Sequence, residues 1–199
     1  RGLGDVYKRQ VQEIGEIKEC NKTSSGKTIE VLATNSFTEN LKKGASVSVN
    51  GVCLTAVSSS NGYMIFDVIK ETLRITNLDD IQVGNMVNLE RSLRYGDEVG
   101  GHILSGHVSC KAKSRLLQND GEIELRIECP QEWLDFILLK GYVAINGASL
   151  TVAKKGKNNF SVFLIPETLS ATNLSELAEG SFLNICLLYT SPSPRDVLR

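Results

Sequence analysis

VNGVCLTAV (residues 49–57) and INGASLTVA (residues 145–153) are nearly the same words, set ninety-six residues apart. A fixed-offset self-match means that one structural unit has been used twice, and it outranks other local signals. The match extends in both directions. KETLRITNL (70–78) returns as PETLSATNL (166–174), and VGNMVNL (83–89) as EGSFLNI (179–185), with Gly84 and Gly180 at the same spacing. Upstream, LKKGASVSVNG (41–51) faces LLKGYVAING (138–147), one residue shorter. The halves meet near EVGGHILSGHV (98–108), where Val108 restarts the pattern begun at Val11.

Within each half the local signals are those of strands. KTIEVLA, ASVSVNG, VCLTAV, YMIFDVI and MVNLERS are short, β-branched and partly alternating, and Gly, Asn and Ser turns separate them. GEIELRIEC, YVAING, SLTVA and FSVFLI repeat this in the second half. Such spacing predicts an all-β protein built as closed antiparallel barrels or sandwiches. Two segments read as helices, TNSFTENLKKG (34–44) and CPQEWLDFILLKG (129–141), with apolar residues at i and i+3 or i+4 and a terminal Gly. Thr72 and Thr168 are expected to cap a further short helical turn in the repeated ETL words.

Composition narrows the function classes. Of 199 residues, 41% are hydrophobic and 23% charged, and the net charge is −1. That lacks the basic excess that binding to a phosphate backbone requires, so nucleic acid is not an expected partner. No apolar run approaches the ~20 residues of a membrane span and the first ten residues carry no signal-peptide core, so no membrane partner is expected and the chain reads as cytoplasmic. The cysteines form no CxxC pair and no spaced Cys/His cluster, so no metal is expected.

The two ends read differently from the rest. One DNA segment encodes residues 1–10, and its reverse complement, one base out of frame, encodes residues 186–194. Native termini have no reason to share one segment on opposite strands, whereas a sequencing adaptor joined to both ends of a fragment does. Residues 1–10 and 186–199 are therefore expected to be adaptor-derived, with one unit over residues 11–102 and a second over residues 103–185.

What repeats best is polar: Asn50/Asn146, Thr55/Thr151, Glu71/Glu167, Thr72/Thr168 and Asn77/Asn173. Strand ends held by a rigid barrel are where binding groups accumulate, so the duplication predicts two related pockets. The halves also differ, since Cys53 stands where the second half has Ser149, and Ser46 has no clean counterpart.

VQEIGEI, GASVSVNGVCLT, KETLRITNL, VNLERSLRYGDEVGGHILSGHV and IPETL, in that order, resemble the α chain of the riboflavin synthase family of lumazine-binding tandem repeats, over nearly all of residues 11–185. The resemblance implies two tandem six-stranded Greek-key β-barrels, each with a short helix, and a C-terminal helix for trimer formation that is missing here. It implies two molecules of 6,7-dimethyl-8-ribityllumazine as substrates, a homotrimer, association with lumazine synthase, and no cofactor. One lumazine loses a 7-methyl proton and attacks; the other is attacked, after a nucleophile adds at its C7. With its ends replaced, the chain as written is expected to be a poor trimer of weak activity. The rival is a non-catalytic, antenna-type lumazine or flavin binder of the same superfamily, which would keep the barrels and lose the motif in one half. A more distant rival, the flavin-binding barrel of a reductase, would need a Gly-rich phosphate loop that is absent.

By the same resemblance, Ser46 and Cys53 are candidates for catalysis. A lone cysteine is commonly a small buried hydrophobe, but the matching family position lines the pocket. His102 and His107, the two histidines, are candidate proton carriers, with His107 at the ligand beside Ser105 and Gly106. The first lumazine site is expected to use Val11, Cys53, Leu54, Thr55 and the stretch Asp67, Val68, Ile69, Lys70, Glu71 and Thr72. The second is expected to use Lys140, Ser149, Leu150, Thr151 and the stretch Phe163, Leu164, Ile165, Pro166, Glu167 and Thr168. Backbone groups there suit a pyrimidine edge, and hydroxyls suit a ribityl chain. Asn146 stands where some relatives carry an acid.

Overall fold

The structure is a computed structural model and describes residues 11–92, 107–119 and 121–187. The expectations for His102, Ser105 and Gly106 lie outside these residues.

In the first half, strands β1 (Glu13–Lys22), β2 (Gly26–Leu32), β3 (Ser46–Val49), β4 (Val52–Ser60), β5 (Tyr63–Ile69) and β6 (Met86–Arg91) close into an antiparallel barrel in the order β1-β2-β5-β4-β3-β6. Closure leaves no strand wholly at a sheet edge, where short strands would otherwise expose their backbone groups. The alternation of β4 shows how the sequence drives this: Val52, Leu54 and Ala56 are buried, while Cys53, Thr55 and Val57 are exposed. The core gathers Ile17, Ile29, Val31, Met64 and Phe66, all at 0% exposure.

The second half repeats the order with β7 (Cys110–Asn119), β8 (Glu122–Glu128), β9 (Tyr142–Ile145), β10 (Ala148–Thr151), β11 (Lys154–Lys155), β12 (Asn159–Leu164) and β13 (Phe182–Cys186). Its sheet runs β10-β9-β13-β7-β8-β12-β11. The two ends of that strip, β10 and β11, are consecutive in the chain, with Val152 and Ala153 between them. Val152 N–H donates to Gly141 on one side and Ala153 N–H to Ser161 on the other, both at 2.9 Å. The barrel thus closes through the chain itself. In β4 a register shift between Ala56 and Ser58 stands at the equivalent place. Strand β13 includes Cys186, which pairs with Ala144 and is buried, and Leu187 joins the second core.

The helices are shorter than their patterns suggested. Helix α1 is Asn35–Thr38, capped by the Thr34 hydroxyl accepting from Phe37 N–H at 3.2 Å, and α3 is Gln131–Leu134. The left-handed backbone of Asn40 (φ 58°) and Lys140 (φ 65°) turns each chain back toward the next strand. The ETL words form α2 (Lys70–Ile75) and α4 (Pro166–Ala171), but Thr72 and Thr168 do not cap them. The capping threonines are Thr76 and Thr172, four residues later, whose hydroxyls accept from Leu78 and Leu174 N–H and start the 3-10 turns Asn77–Asp79 and Asn173–Glu176.

The NG of the repeated words explains the joint between the barrels. Asn50-Gly51 and Asn146-Gly147 all have positive φ, as a two-residue type I′ hairpin requires. The two turns meet back to back: a Cβ on Gly51 would lie 2.8 Å from the backbone nitrogen of Gly147. Around them six buried asparagines, three from each half at the repeat spacing, bond across the joint. Asn184 Oδ1 accepts from Asn77 N–H at 2.7 Å, and Asn88 Oδ1 accepts from Asn173 N–H at 2.7 Å. Asn184 Nδ2 donates to the Asn50 carbonyl at 2.9 Å, and Asn88 Nδ2 to that of Asn146 at 2.8 Å. These four bonds form two mirrored pairs. Val11 is buried in the second core and Val108 packs against the first, which adds an exchange of apolar residues at the same joint.

Candidate functional site

The outer face of each barrel parts at one end. In the first, β3 follows β4 down to its start, pairing Ser46 with Thr55 and Ser48 with Cys53, and β2 follows β5 to its end at Gly26↔Ile69. Between β4 and β5, however, the pairing starts at Ala56↔Phe66 and runs the other way. Beyond it Cys53 and Thr55 stand on one side of a gap, and Asp67 and Ile69 on the other. All four are exposed, and α2 with half-buried Thr72 begins where β5 ends. Ser46 is half-buried at the start of β3.

The second barrel builds the same gap. Strand β10 pairs with β9 through Ser149↔Ala144 and Thr151↔Tyr142, while β12 pairs with β8 and, through Lys154↔Ser161, with β11. Ser149 is half-buried and Thr151 exposed on one side. Phe163 is half-buried, Ile165 is exposed on the other side, and Thr168 is half-buried on α4. Exposed Lys140 sits at the turn into β9, its N–H donating to Val152. Strand edges left without a neighbour present N–H and C=O groups to a flat heterocycle, and the hydroxyls alongside suit a polyol.

Most expected residues gather at these gaps, but in different ways. Leu54, Val68, Leu150 and Leu164 point their side chains into the cores, so only their backbones face outward. Val11 is buried at the joint, and exposed His107 lies just before β7. Lys70, Glu71, Pro166 and Glu167 are exposed on the helices, with Glu71 bound twice by Arg74, at 2.6 and 3.0 Å. That hydrogen bonding holds the Glu71 carboxyl below the usual carboxylate range. The repeated asparagines are not at the gaps. Asn50, Asn77, Asn146 and Asn173, read from the repeat as pocket groups, have their amides committed to the joint, away from the gaps. A cleft of about 430 Å3 over that joint is lined by these same asparagines and by Asp80 and Glu176.

The cysteines divide by exposure. Cys110 and Cys186 are buried; a hydrogen bond with Cys129 and then burial raise the Cys110 thiol, and burial raises that of Cys186 to about 12. Cys20 is half-buried, with its thiol toward the Ile81 carbonyl at 3.5 Å. Cys53 alone among the described cysteines is exposed, and it stands at the first gap.

Sequence reasoning named Asp67 at the first gap but missed the charged groups Glu124, Arg126 and Lys154 beside the second. Thr28 donates to Asp67 at 2.6 Å beside the first. Beside the second, Glu124 is 3% exposed and accepts from Lys154 at 2.6 Å, Ser161 at 2.7 Å and Arg126 at 2.9 Å. These bonds, that to Lys154 foremost, hold its carboxyl down at about 2. Lys154 also lies 4.9 Å from the Phe163 ring centre. Comparing residue types across the repeat spacing, instead of matching identities, would have found them.

Comparison with known proteins agrees with the duplicated gap. The model of the lumazine binding domain matches residues 10–92 and again 105–186. The chain is 38% identical over 178 residues to riboflavin synthase of Escherichia coli strain K12, covering 88% of this chain and 83% of that one. It is 39% identical over 175 residues to riboflavin synthase of Chlamydia pneumoniae, covering 88% and 86%. Among solved structures, LumP complexed with 6,7-dimethyl-8-(1'-D-ribityl) lumazine superposes with a TM-score of 0.82 at 26% identity, over 92% of this chain and 99% of that one. With both lumazine-binding repeats matched and the barrels superposing along their length, the chain belongs to the riboflavin synthase family.

Proposed function

We propose that this chain joins two molecules of 6,7-dimethyl-8-ribityllumazine, moving a four-carbon unit from one to the other to give riboflavin and 5-amino-6-(ribitylamino)uracil. The observation that carries this reading is the parted outer face, built twice from equivalent strands, with Cys53 at one copy and Ser149 at the other. Two like gaps suit two like substrates, and one differing residue suits two different roles.

In this reading each ring lies along a gap, its pyrimidinedione edge against the free strand edge and its ribityl chain toward Thr55 and Thr72 or Thr151 and Thr168. Cys53, exposed, and Ser46 on β3, opposite Thr55, supply the nucleophile that adds to the acceptor, and His107 carries protons. Seating both rings in a fixed relation supplies much of the rate, since oriented reactants gain ~7–11 kcal/mol over free ones. A homotrimer, in which the first half of one chain meets the second half of a neighbour, belongs to this reading, as do a cytoplasmic setting and association with lumazine synthase.

The likeness to LumP supports a second reading, a binder without turnover. Mixing the protein with dimethylribityllumazine and following riboflavin absorbance tests both. Steady product formation supports the enzyme, and a stable complex without product supports the binder. Sedimentation of the same sample tests the trimer.

A further inference from the structure

Five positions on the outer face of each half are related by the repeat spacing and joined by the same cross-strand pairs. In the first half they are Thr28 opposite Asp67, Glu30 opposite Ile65, and Ser58 opposite Ile65. In the second they are Glu124 opposite Phe163, Arg126 opposite Ser161, and Lys154 opposite Ser161. The first set holds two acids and no base, a formal charge of −2; the second holds one acid and two bases, a formal charge of +1. The contrast continues outward, with Glu19 opposite Glu30 and Arg115 opposite Arg126, although Arg115 is paired with Glu179 at 3.0 Å. Neighbouring charges do not reverse it. Lys70 flanks the first gap, where Glu71 is neutralised by Arg74; Lys140 and Glu167 flank the second, and of the two further acids on that face of β8, Glu122 and Glu128, the latter lies opposite Lys113.

We propose that this contrast sorts the two lumazines by role, the second half holding the one that gives up its 7-methyl proton and the first half the one that is attacked. The inference rests on the reading given under Proposed function. When the methyl C–H bond breaks, its electron pair spreads into the ring toward the pyrimidinedione oxygens and the proton leaves by way of His107 to a solvent base. The ring then carries a full negative charge. Lys154, held over Phe163 by Glu124, and Arg126 beside it stabilise that charge, whereas Asp67 and Glu30 oppose it. The neutral acceptor takes the acidic face, where Cys53 stands. Lys154 is a positioning residue here: it acts on the ligand's ionisation through the field of the face.

The test is the ionisation of bound dimethylribityllumazine, read by absorbance after a rapid pH jump and completed before turnover, in the wild-type chain, Lys154→Gln and Glu30→Lys. Lys154→Gln leaves Arg126 and Ser161 on Glu124, and Glu30→Lys relieves its opposition to Glu19, so the two variants perturb opposite halves. Two ionisation steps are expected in the wild type. Lys154→Gln moves the lower step up in pH by a factor of about three to ten in proton concentration and leaves the upper one, and Glu30→Lys moves the upper step down by a similar factor. Two bound equivalents with neither step moved in either variant would overturn the proposal while leaving the function intact. Absence of any bound lumazine in the wild type would overturn the functional reading itself, and the inference with it.

Discussion

The two halves of this chain agree where they touch each other and disagree where they face solvent. At the joint each side contributes three asparagines and one NG turn at equivalent positions, in mirrored bonds. On the outer faces equivalent positions carry Asp67 against Phe163, Ser58 against Lys154 and Cys53 against Ser149. Duplication has kept the part that fixes geometry and changed the outer faces, the arrangement that the proposed function asks of a protein seating two identical molecules in different roles.

The largest effects should come from breaking the symmetric part. Asn184→Leu leaves the buried Asn77 N–H and Asn50 carbonyl without partners, and each such group costs ~1–3 kcal/mol, so a loss of about 3 kcal/mol is expected in chemical denaturation. Asn88→Leu does the same to Asn173 and Asn146 and should match it within about 1 kcal/mol. Unequal losses would show that the mirror is not energetic. Gly51→Ala should cost about 2–3 kcal/mol, from its left-handed backbone and the Gly147 contact, while Gly84→Ala, also at positive φ but in open space, should cost about 1.

The outer faces should break unequally. Cys53→Ala should lower kcat about a hundredfold, whereas Ser149→Ala should change it by less than about threefold, in steady-state assays of riboflavin formation. Equal losses would remove the distinction of roles.

A smaller contrast lies at Glu90, whose equivalent in the second half is Cys186. Burial pushes the Glu90 carboxyl up to about 7, and among the described residues no hydrogen bond or ion pair meets it. The folded chain therefore holds this proton more tightly than the unfolded one. Its stabilising contribution is full below pH 4.5, falls as pH rises, and is gone above about 7. Glu90→Gln should accordingly raise stability at pH 8 by about 2 kcal/mol, allowing for partial exposure, and by almost nothing at pH 4.5. Cys186, neutral until about pH 12, should give the second half no such dependence.

Much of the fold was legible in the repeat and little of the joint was. The NG words announced I′ turns, the β-branched runs announced strands, and self-similarity required whatever barrel formed once to form again. Strands β1 and β7 were not read as strands from residue type, because charged residues such as Lys18, Lys111 and Lys113 fill their outward positions, and resemblance alone marked the first of them. The asparagines were misread because a polar residue repeated at a strand end looks the same whether its partner is a ligand or its own copy ninety-six residues away. The gaps were half legible: Thr55, Thr151 and the ETL words pointed to them, but the parting of β4 from β5 depends on a register shift that leaves no mark in residue type. Glu124, Arg126 and Lys154 were hidden by their dissimilarity to the first half, the property that makes them informative.

Binding stoichiometry tests the central claim most directly. Calorimetric titration of the chain with riboflavin, the product that both gaps are proposed to accept, should reveal two sites per chain of unequal affinity, with Thr55→Val weakening one and Thr151→Val the other. A single site per chain, in a preparation that still makes product at full rate, would contradict the account.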